Sequence, residues 1–459
     1  MDLNHKNVLV AGTGISGMGA TKLLRKAGAA VILYDSNDAL TEKEILGRFD
    51  GGTAGVRVLL GELESEIIKT LDLAVLSPGV PIDADFVVKL QEQGVKIWGE
   101  IELAWQFEKG TLAAITGTNG KTTTTALTGQ IMRAWCDRVF VVGNIGNSYT
   151  ERVLETSRDS VTVAEISSFQ LETVETFHPH VSAVLNITPD HLNRHHTMEC
   201  YIETKKRIFE NQTAGDFVVL NYDDPVTRSM AGDAEAQVIF FSGRHILDEG
   251  YYFKDGEIVY AHGGQTEHVC YENDLNILGL HNMENVMAAV AMTRSLGVPM
   301  DVIFRVLTQF RAVEHRIEYV AEKKGVKYYN DSKGTNPDAA IKAVEAMNRP
   351  TLLIGGGYDK QSEYDAWIES FGDKVRYLVL LGQTAEKIAD CARAHGFHQI
   401  IKVETLEEAV KVCADHARAG DAVLLSPACA SWGMFKNYEQ RGRLFKEYVH
   451  QLPDDGGAK

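Results

Sequence analysis

The sequence predicts an α/β protein of three domains, and three observations carry that reading. Its 459 residues are about three times the roughly 150 residues of an average domain. Short apolar runs alternate with helical patterns from end to end, as in parallel sheets covered by helices on both faces. Two glycine-rich turns, at residues 12–17 and 117–120, each follow a strand-like run and open a helix.

The elements follow in order. Residues 7–11 read as a buried strand, 17–27 as a helix, and 30–33 as a strand ending at Tyr34-Asp35. Runs at 73–76 and 95–98 add two strands. Glu108-Lys109-Gly110 marks a boundary, because a new strand opens at 112–116; the first domain is 1–108. The second, 109–311, holds strand-like runs at 139–142, 161–164, 181–185 and 217–220. It also holds a hairpin over 251–260 turning at Asp255-Gly256 and a helix over 281–295. The pattern breaks near 310–315, where the third domain, 312–459, begins. There Asn336-Pro337-Asp338 supplies an N-cap, a proline at the first helical position and an early negative charge before a helix over 339–347. Strands at 326–329, 351–354, 377–381, 399–403 and 422–425 alternate with helices, and 453–459 reads as an unstructured tail.

Composition excludes several classes. Hydrophobic residues at 44% and charged residues at 24% are those of a globular chain, not of a disordered, collagenous or disulfide-stapled one. The net charge of −17 argues against a nonspecific grip on nucleic acid or an anionic membrane. Any phosphate must therefore be held by local sites. The six cysteines show no close pair with zinc-site spacing and read as free thiols of a reducing cytosol. The first residues lack a signal peptide's apolar core, and no run approaches the roughly 18 apolar residues of a membrane span. A soluble cytoplasmic chain is the expectation.

The glycine turns differ in what they say. Gly12-Thr13-Gly14-Ile15-Ser16-Gly17 fits G-x-G-x-x-G, with Asp35 eighteen residues beyond its last glycine. Glycines let the backbone approach a pyrophosphate, and the helix N-terminus offers free N–H groups; a ligand-free tight turn has the same spacing. Thr116-Gly117-Thr118-Asn119-Gly120-Lys121-Thr122 is more specific. Its N–H groups can cradle phosphate oxygens, Lys121 can meet the β/γ-phosphates, and the Thr122 hydroxyl can reach Mg²⁺. Ile115 stands where the strict pattern has its first glycine, so the loop is shorter. Two such loops in two domains suggest two nucleotides, one a reacting triphosphate and the other a handle on a substrate.

Further motifs extend the pattern. Glu165-Ile166-Ser167-Ser168-Phe169-Gln170-Leu171, Asn186-Ile187-Thr188-Pro189-Asp190-His191, His281-Asn282 and Asn330-Asp331-Ser332-Lys333-Gly334-Thr335-Asn336 follow the phosphate loop in order. Ser426-Pro427-Ala428-Cys429-Ala430-Ser431-Trp432 and Tyr438-Glu439-Gln440-Arg441-Gly442 close the series. Together these motifs resemble the Mur ligases, ATP-dependent amide-bond formers that build the peptidoglycan stem peptide on a UDP-linked muramic acid. The D-glutamate-adding branch is the nearest. Asn119 stands where alanine-adding ligases usually carry His, and the D-N-P-R run of diaminopimelate- or lysine-adding ligases is absent. Folylpolyglutamate synthetase, a relative, lacks the N-terminal glycine loop.

The resemblance implies a Rossmann-like N-terminal domain for the UDP substrate, a P-loop-type central ATPase domain, and a Rossmann-like C-terminal domain for the amino acid. It implies ATP and Mg²⁺ as cofactors, UDP-N-acetylmuramoyl-L-alanine and D-glutamate as substrates, no nucleic acid, no membrane insertion, and a monomer. Carried onto this sequence, the ATP contacts are Gly117, Thr118, Asn119, Gly120, Lys121, Thr122 and Thr123, with Asn282, Asn285, Arg316, Asp331 and Lys333. The metal falls to Thr122, Glu165, His191 and Lys205, the last matching the family's carbamylated lysine; with Lys121 and Lys333 these three beyond Thr122 form the catalytic set. Ile15, Ser16, Asp35, Ser36 and Gly79 match UDP contacts, and Asn144, Gly146 and Ser167 the diphosphate-sugar side. For D-glutamate, Thr335 and Lys360 resemble one carboxylate clamp, and Ser431 with the backbone near Tyr438 the other.

Without the family, several of these residues read differently. Arg316 is then a surface arginine, and Lys205, in Glu203-Thr204-Lys205-Lys206-Arg207, a solvated basic helix face. Asn282 and Asn285 are i, i+3 neighbours on a polar helix face, and His191 is an unusual partner for oxygen-preferring Mg²⁺. Asn193, Trp432-Gly433-Met434 and the glycine run at 355–357 before Lys360 depart from the family pattern. Two other classes stay open on the residues alone. A nicotinamide-dependent dehydrogenase would use Gly12–Gly17 and Asp35 but leave the phosphate loop idle, and an ATP-driven switch would hydrolyse ATP without an amino acid.

Overall fold

The structure, a computed structural model, describes residues 3–49, 55–144, 147–311 and 314–453. Three sheets organise them. In the first, β1 (Asn7–Ala11), β2 (Ala30–Asp35), β3 (Val56–Leu60), β4 (Leu73–Leu76) and β5 (Lys96–Gly99) run in the order β3-β2-β1-β4-β5, all parallel. Every residue of β4 is buried, which is why its short apolar run was legible. β3 was not anticipated from sequence: as an edge strand it is only half-buried, and its Val-Arg-Val pattern is weakly apolar.

The second sheet has nine strands. They are β6 (Thr111–Thr116), β7 (Val139–Gly143), β8 (Val161–Glu165), β9 (Val181–Val184), β10 (Phe217–Asn221), β11 (Gln237–Ser242), β12 (Gly250–Lys254), β13 (Glu257–His262) and β14 (Gln265–Tyr271), in the order β14-β13-β12-β11-β10-β9-β6-β8-β7. Strands β6 to β12 pair in parallel. β12 and β13 form the expected hairpin, with Lys254 opposite Glu257 across Asp255-Gly256. Asp255 and Gly256 both have positive φ, 51° and 81°, as a type I′ turn requires.

The third sheet orders β15 (Glu318–Lys323), β16 (Val326–Asn330), β17 (Thr351–Gly355), β18 (Val375–Leu380), β19 (Ile400–Lys402) and β20 (Ala422–Leu425) as β15-β16-β20-β17-β18-β19. Only β15, an edge strand, is antiparallel to its neighbour. Asn336 caps the following helix, Pro337–Ala346, by accepting the Ala339 N–H, as its sequence signature predicts.

Parallel strands bring their carboxyl ends to one edge, where open α/β sheets place their ligand sites. The loops after β1, β2 and β4, after β6, β8 and β9, and after β16, β17 and β20 leave their sheets at those ends. The chain divides into two compact units, Met1–Cys270 with Glu284–Leu307, and Tyr271–Met283 with Thr308–Lys459.

The first unit holds the first two sheets, and one carboxylate ties them. Glu102, fully buried in the helix Glu100–Trp105 that follows β5, accepts the backbone N–H groups of Glu175, Thr176 and Phe177 and the Thr176 hydroxyl at 2.6–3.1 Å. Beside it, the Trp98 indole N–H donates to Glu175 at 2.8 Å. Charge-assisted bonds of this kind are the strong ones. Glu102→Gln places an amide N–H against those donors and is expected to destabilise the unit by about 1–3 kcal/mol. Hydrogen exchange at the amides of 175–177 should accelerate, with the third sheet unchanged.

Candidate active site

Three strand-end clusters hold the residues singled out in the sequence. At the first sheet, the turn after β1 needs its glycines. Gly12 has φ of 100°, and a Cβ on Gly17 would lie 1.8 Å from the Gly12 carbonyl oxygen. The Thr13 hydroxyl donates to Asp35 at 2.8 Å, fixing that carboxylate at the end of β2. A cavity of about 530 Å³ opens here, lined by Gly12, Asp35, Ser36 and Gly79 and by Phe86 and Lys89. The last two carried no signal in the sequence, since they lie on a separate helix, Asp85–Glu92. Ile15 is exposed and lies outside the lining, and Ser16 turns its hydroxyl to the buried Glu100 carboxyl, whose pKa burial raises.

The central cluster forms where β6, β8 and β9 end. Gly117 and Gly120, with φ of 145° and 86°, bend the chain into the helix Lys121–Trp135. A Cβ on Gly120 would strike Asn285 Oδ1 at 2.2 Å. The loop is braced from the end of β9. Thr118 N–H donates to the Asn186 carbonyl and Asn119 N–H to the Asn186 side chain, at 2.9 and 2.8 Å. The Thr118 hydroxyl accepts the Thr188 N–H and shares a hydrogen bond with the Tyr201 hydroxyl.

Two lysines converge on one carbonyl. Lys121 Nζ donates to the Gly117 and Thr118 carbonyls at 2.8 and 2.9 Å, and Lys205 Nζ to Gly117 at 2.9 Å. Lys205 is 2% exposed, with its ammonium 4.9 Å from the centre of the Tyr201 ring. Burial, then the Lys121 charge, hold its pKa well below the usual lysine value. The solvated-face reading of Lys205 is therefore wrong, because the helix Met198–Lys206 turns this position inward while Lys206 stays outside. Burial, followed by the charges of Lys205 and Arg194, also pushes His195 down to about 4.

Glu165, at the end of β8, is 1% exposed and accepts the Asn144 side-chain amide at 2.8 Å through Oε1. Its Oε2 is buried with no hydrogen-bond partner among the described residues, the state of a carboxylate suited to a cation. His191 has φ of 52°, is exposed, and packs its ring at a tilt against Phe169, with centroids 4.8 Å apart. Glu165 and His191 do not fall within any described trio of carboxylate, imidazole or thiol ligand atoms. Thr122 and Thr123 are buried in the first helical turn, and the Thr124 hydroxyl donates to Asn285. Ser167 spends its hydroxyl as a helix cap with Gln170. Gly146 lies outside the described residues.

In the second unit, β16 and β20 end side by side. Asp331 is buried, accepts the Ser426 hydroxyl at 2.7 Å, and is pushed up to about 7 by burial against the opposing pull of Ser426 and Arg316. Arg316 Nε is itself buried with no hydrogen-bond partner among the described residues, so this is no freely solvated arginine. Lys333 Nζ lies 5.6 Å from the Tyr438 ring, and Thr335 N–H donates to the Lys333 carbonyl. Asn282 directs its amide to the Leu278 carbonyl. The loops of Lys360 and Ser431 meet: Tyr358 N–H donates to the Ala430 carbonyl, and Lys360 Nζ lies 5.1 Å from the Trp432 ring. Ser431 is buried.

Arg441, given no role in the sequence reading, holds this cluster together. It is 2% exposed and donates to the Ser332 hydroxyl and carbonyl at 3.0 and 2.9 Å and to the Cys429 carbonyl at 3.2 Å. The Ser332 hydroxyl in turn donates to the Tyr438 carbonyl at 2.8 Å. One guanidinium thus sets both the Lys333 loop and the Ser431 loop.

Family models match in the same order. Residues 6–99 match the Mur ligase MurD-like N-terminal domain, 115–293 the Mur ligase middle domain, and 315–429 the Mur ligase glutamate ligase domain. UDP-N-acetylmuramoylalanine--D-glutamate ligase of Lachnospira eligens is 56% identical over 453 residues, 98% of this chain and 100% of the relative. The chain belongs to the Mur ligase family. The same-named ligase of Lachnoclostridium phytofermentans is also 56% identical, over 99% of this Mur ligase and 100% of its own length. Among solved structures, MurC of Thermotoga maritima aligns at TM-score 0.58 and 18% identity, over 97% of this chain and 99% of its own. MurF of the same organism, in complex with ADP, aligns at 0.58 and 18%, over 98% and 96%. These two show that the Mur ligase fold is shared.

Two outcomes test the reading of these clusters in this Mur ligase. Because burial lowers the Lys205 pKa in the folded chain, the unfolded chain binds more protons between that lowered value and lysine's ordinary pKa, so the stability cost is full at low pH and fades as pH rises toward the ordinary value. Lys205→Met should raise the thermal midpoint at neutral pH, the gain shrinking as pH rises toward that value. Arg441→Met leaves the Ser332 and Cys429 carbonyls unpaired and should destabilise the second unit by about 1–3 kcal/mol. Arg441→Lys, lacking the planar fork, should recover only part of the loss in chemical denaturation.

Proposed function

We propose that this Mur ligase joins D-glutamate to UDP-N-acetylmuramoyl-L-alanine at the expense of ATP, in peptidoglycan precursor synthesis. One observation carries the reading: relatives bearing that activity in their names are 56% identical over essentially the whole chain. The L-alanyl carboxylate attacks the γ-phosphoryl group of ATP, giving an acyl phosphate and ADP. The D-glutamate amine then attacks the acyl carbon, phosphate leaves, and the amide forms.

Phosphoryl transfer asks chiefly for positioning and charge neutralisation. Residues 117–123 cradle the triphosphate, Lys121 and Lys333 meet its charge, and Asn282, Asn285, Arg316 and Asp331 place the nucleotide. Thr122, Glu165, His191 and Lys205 would hold Mg²⁺, which supplies neutralisation of the triphosphate when bound. Glu165 Oε2, buried with no hydrogen-bond partner among the described residues, supports that assignment. The buried amine of Lys205, held toward its neutral form, is in the state that uptake of CO₂ as a carbamate requires.

Domain by domain, 1–108 binds the UDP substrate through Ile15, Ser16, Asp35, Ser36 and Gly79. The central domain, 109–311, binds ATP and, through Asn144, Gly146 and Ser167, the diphosphate-sugar. The last, 312–459, holds D-glutamate between Thr335 and Lys360 on one side and Ser431 and the Tyr438 backbone on the other. We place the enzyme in the cytoplasm as a monomer; no helix among the described residues is long and apolar enough to cross a membrane.

The test incubates the chain with UDP-N-acetylmuramoyl-L-alanine, Mg²⁺ and ATP, and compares phosphate release with D-glutamate, L-glutamate, meso-diaminopimelate and no amino acid. Release is expected with D-glutamate alone. Release independent of D-glutamate would contradict the assignment.

A further inference from the structure

Outside the three strand-end clusters, one group of side chains joins soft and hard metal ligands. The helices Asp365–Glu369 and Ala385–Ala394 follow β17 and β18. Asp365 and Glu369 are four residues apart on one helix, and Cys391 and His395 four apart at the end of the other, so each pair shares a helix face. The ligand atoms of Asp365, Cys391 and His395 all lie within 4.8 Å of one another. His395 Nε2 is 2.9 Å from Asp365 Oδ1, and its Nδ1 is 3.6 Å from Glu369 Oε1.

We propose that Asp365, Cys391 and His395 form a binding site for one divalent cation of the zinc class, with Glu369 orienting the far nitrogen of His395. Thiolate with imidazole and one carboxylate selects Zn²⁺ or Co²⁺ over Mg²⁺, which prefers oxygen. Bonds of about 2.0–2.2 Å around a tetrahedral ion set ligand atoms about 3.3–3.6 Å apart, so Asp365 Oδ1 and His395 Nε2, 2.9 Å apart, need separate by only a few tenths of an ångström to admit the ion. A carboxylate at the second nitrogen of a ligating histidine fixes the ring and its tautomer. As the sulfur–metal bond forms, the Cys391 thiol gives its proton to solvent and the ion sheds water; three protein ligands leave a fourth position for a remaining water. The two helices belong to separate crossovers of the third sheet, so the bound ion is a clip between them. The loop bearing Lys360 runs from the end of β17 to the first of these helices.

This site lies on different residues from those assigned to the nucleotide's Mg²⁺, and sulfur makes the two distinguishable. The full-length, reduced and chelator-treated chain is titrated with Co²⁺. One equivalent should produce a thiolate-to-cobalt charge-transfer band with tetrahedral d–d absorption, insensitive to excess Mg²⁺ and abolished by Zn²⁺. Cys391→Ser should remove the band, while Cys200→Ser, at an exposed cysteine elsewhere, keeps it. Asp365→Asn leaves the thiol in place and should weaken Co²⁺ binding by about tenfold or more. Absence of the band in the unaltered chain, its survival in Cys391→Ser, or full affinity in Asp365→Asn would each overturn the proposal. An ordinary His395–Asp365 ion pair produces those results.

Discussion

Two lysine side chains sharing the Gly117 carbonyl oxygen are the constraint on which the central cluster depends. Lys121 and Lys205 approach that oxygen to 2.8 and 2.9 Å, and like charges so placed in a poorly solvated site repel strongly. The loop that holds the two lysines together is braced on both sides. Asn186 and Thr188 at the end of β9 fasten its backbone, and a Cβ on Gly120 would collide with Asn285. The tension has two outlets, loss of a proton from Lys205 or arrival of an anion. Burial favours the first, and a triphosphate would supply the second. A loop built this way is organised before its ligand arrives, so little reorganisation accompanies binding.

The second unit solves a similar problem with a different cation. Arg441 is buried among carbonyl and hydroxyl oxygens rather than against a carboxylate. Asp331, pushed up to about 7, is near enough to feel the arginine without pairing with it. Burial pulls the guanidinium's pKa down to about 10, and its acceptors spread its field over two loops. The same fork therefore fixes geometry on the Lys333 side and the Ser431 side together, and a change on one loop is felt by the other.

Much of the fold was legible because central strands of parallel sheets are continuous apolar runs; β4 and β20 match their sequence limits to the residue. The inner strand β11, Gln237–Ser242, and three of the edge strands were not. β3, β14 and β15 expose part of each face, and their mixed patterns blend into loops. The phosphate loop was legible from its glycines and lysine, which act locally in the chain. Lys205 was not, because one inward position on a helix whose neighbours Glu203 and Lys206 are ion-paired outside looks like a solvated face. Arg441 was hidden among Glu439, Gln440 and Arg443, where composition says surface. Its partners come from residues more than a hundred positions earlier and twelve earlier. Asp365 joins Cys391 and His395 only through the packing of two separate helices, so no spacing rule could bring the three together.

The distribution of charge between core and surface decides what the net charge of −17 means to an approaching molecule. Among the described residues, six buried carboxyl side chains, Glu100, Glu102, Glu165, Asp216, Asp331 and Asp421, outnumber the two buried basic ones, Lys205 and Arg441, yet the balance left facing solvent stays well negative. Each anionic reactant thus meets repulsion at long range and attraction only within the last few ångströms. Screening by salt, with a Debye length of about 8 Å at physiological ionic strength, weakens the first while leaving the second largely intact. Encounter should therefore be easier in a salty medium than in dilute buffer, the reverse of the behaviour of enzymes that steer anions with an open basic surface.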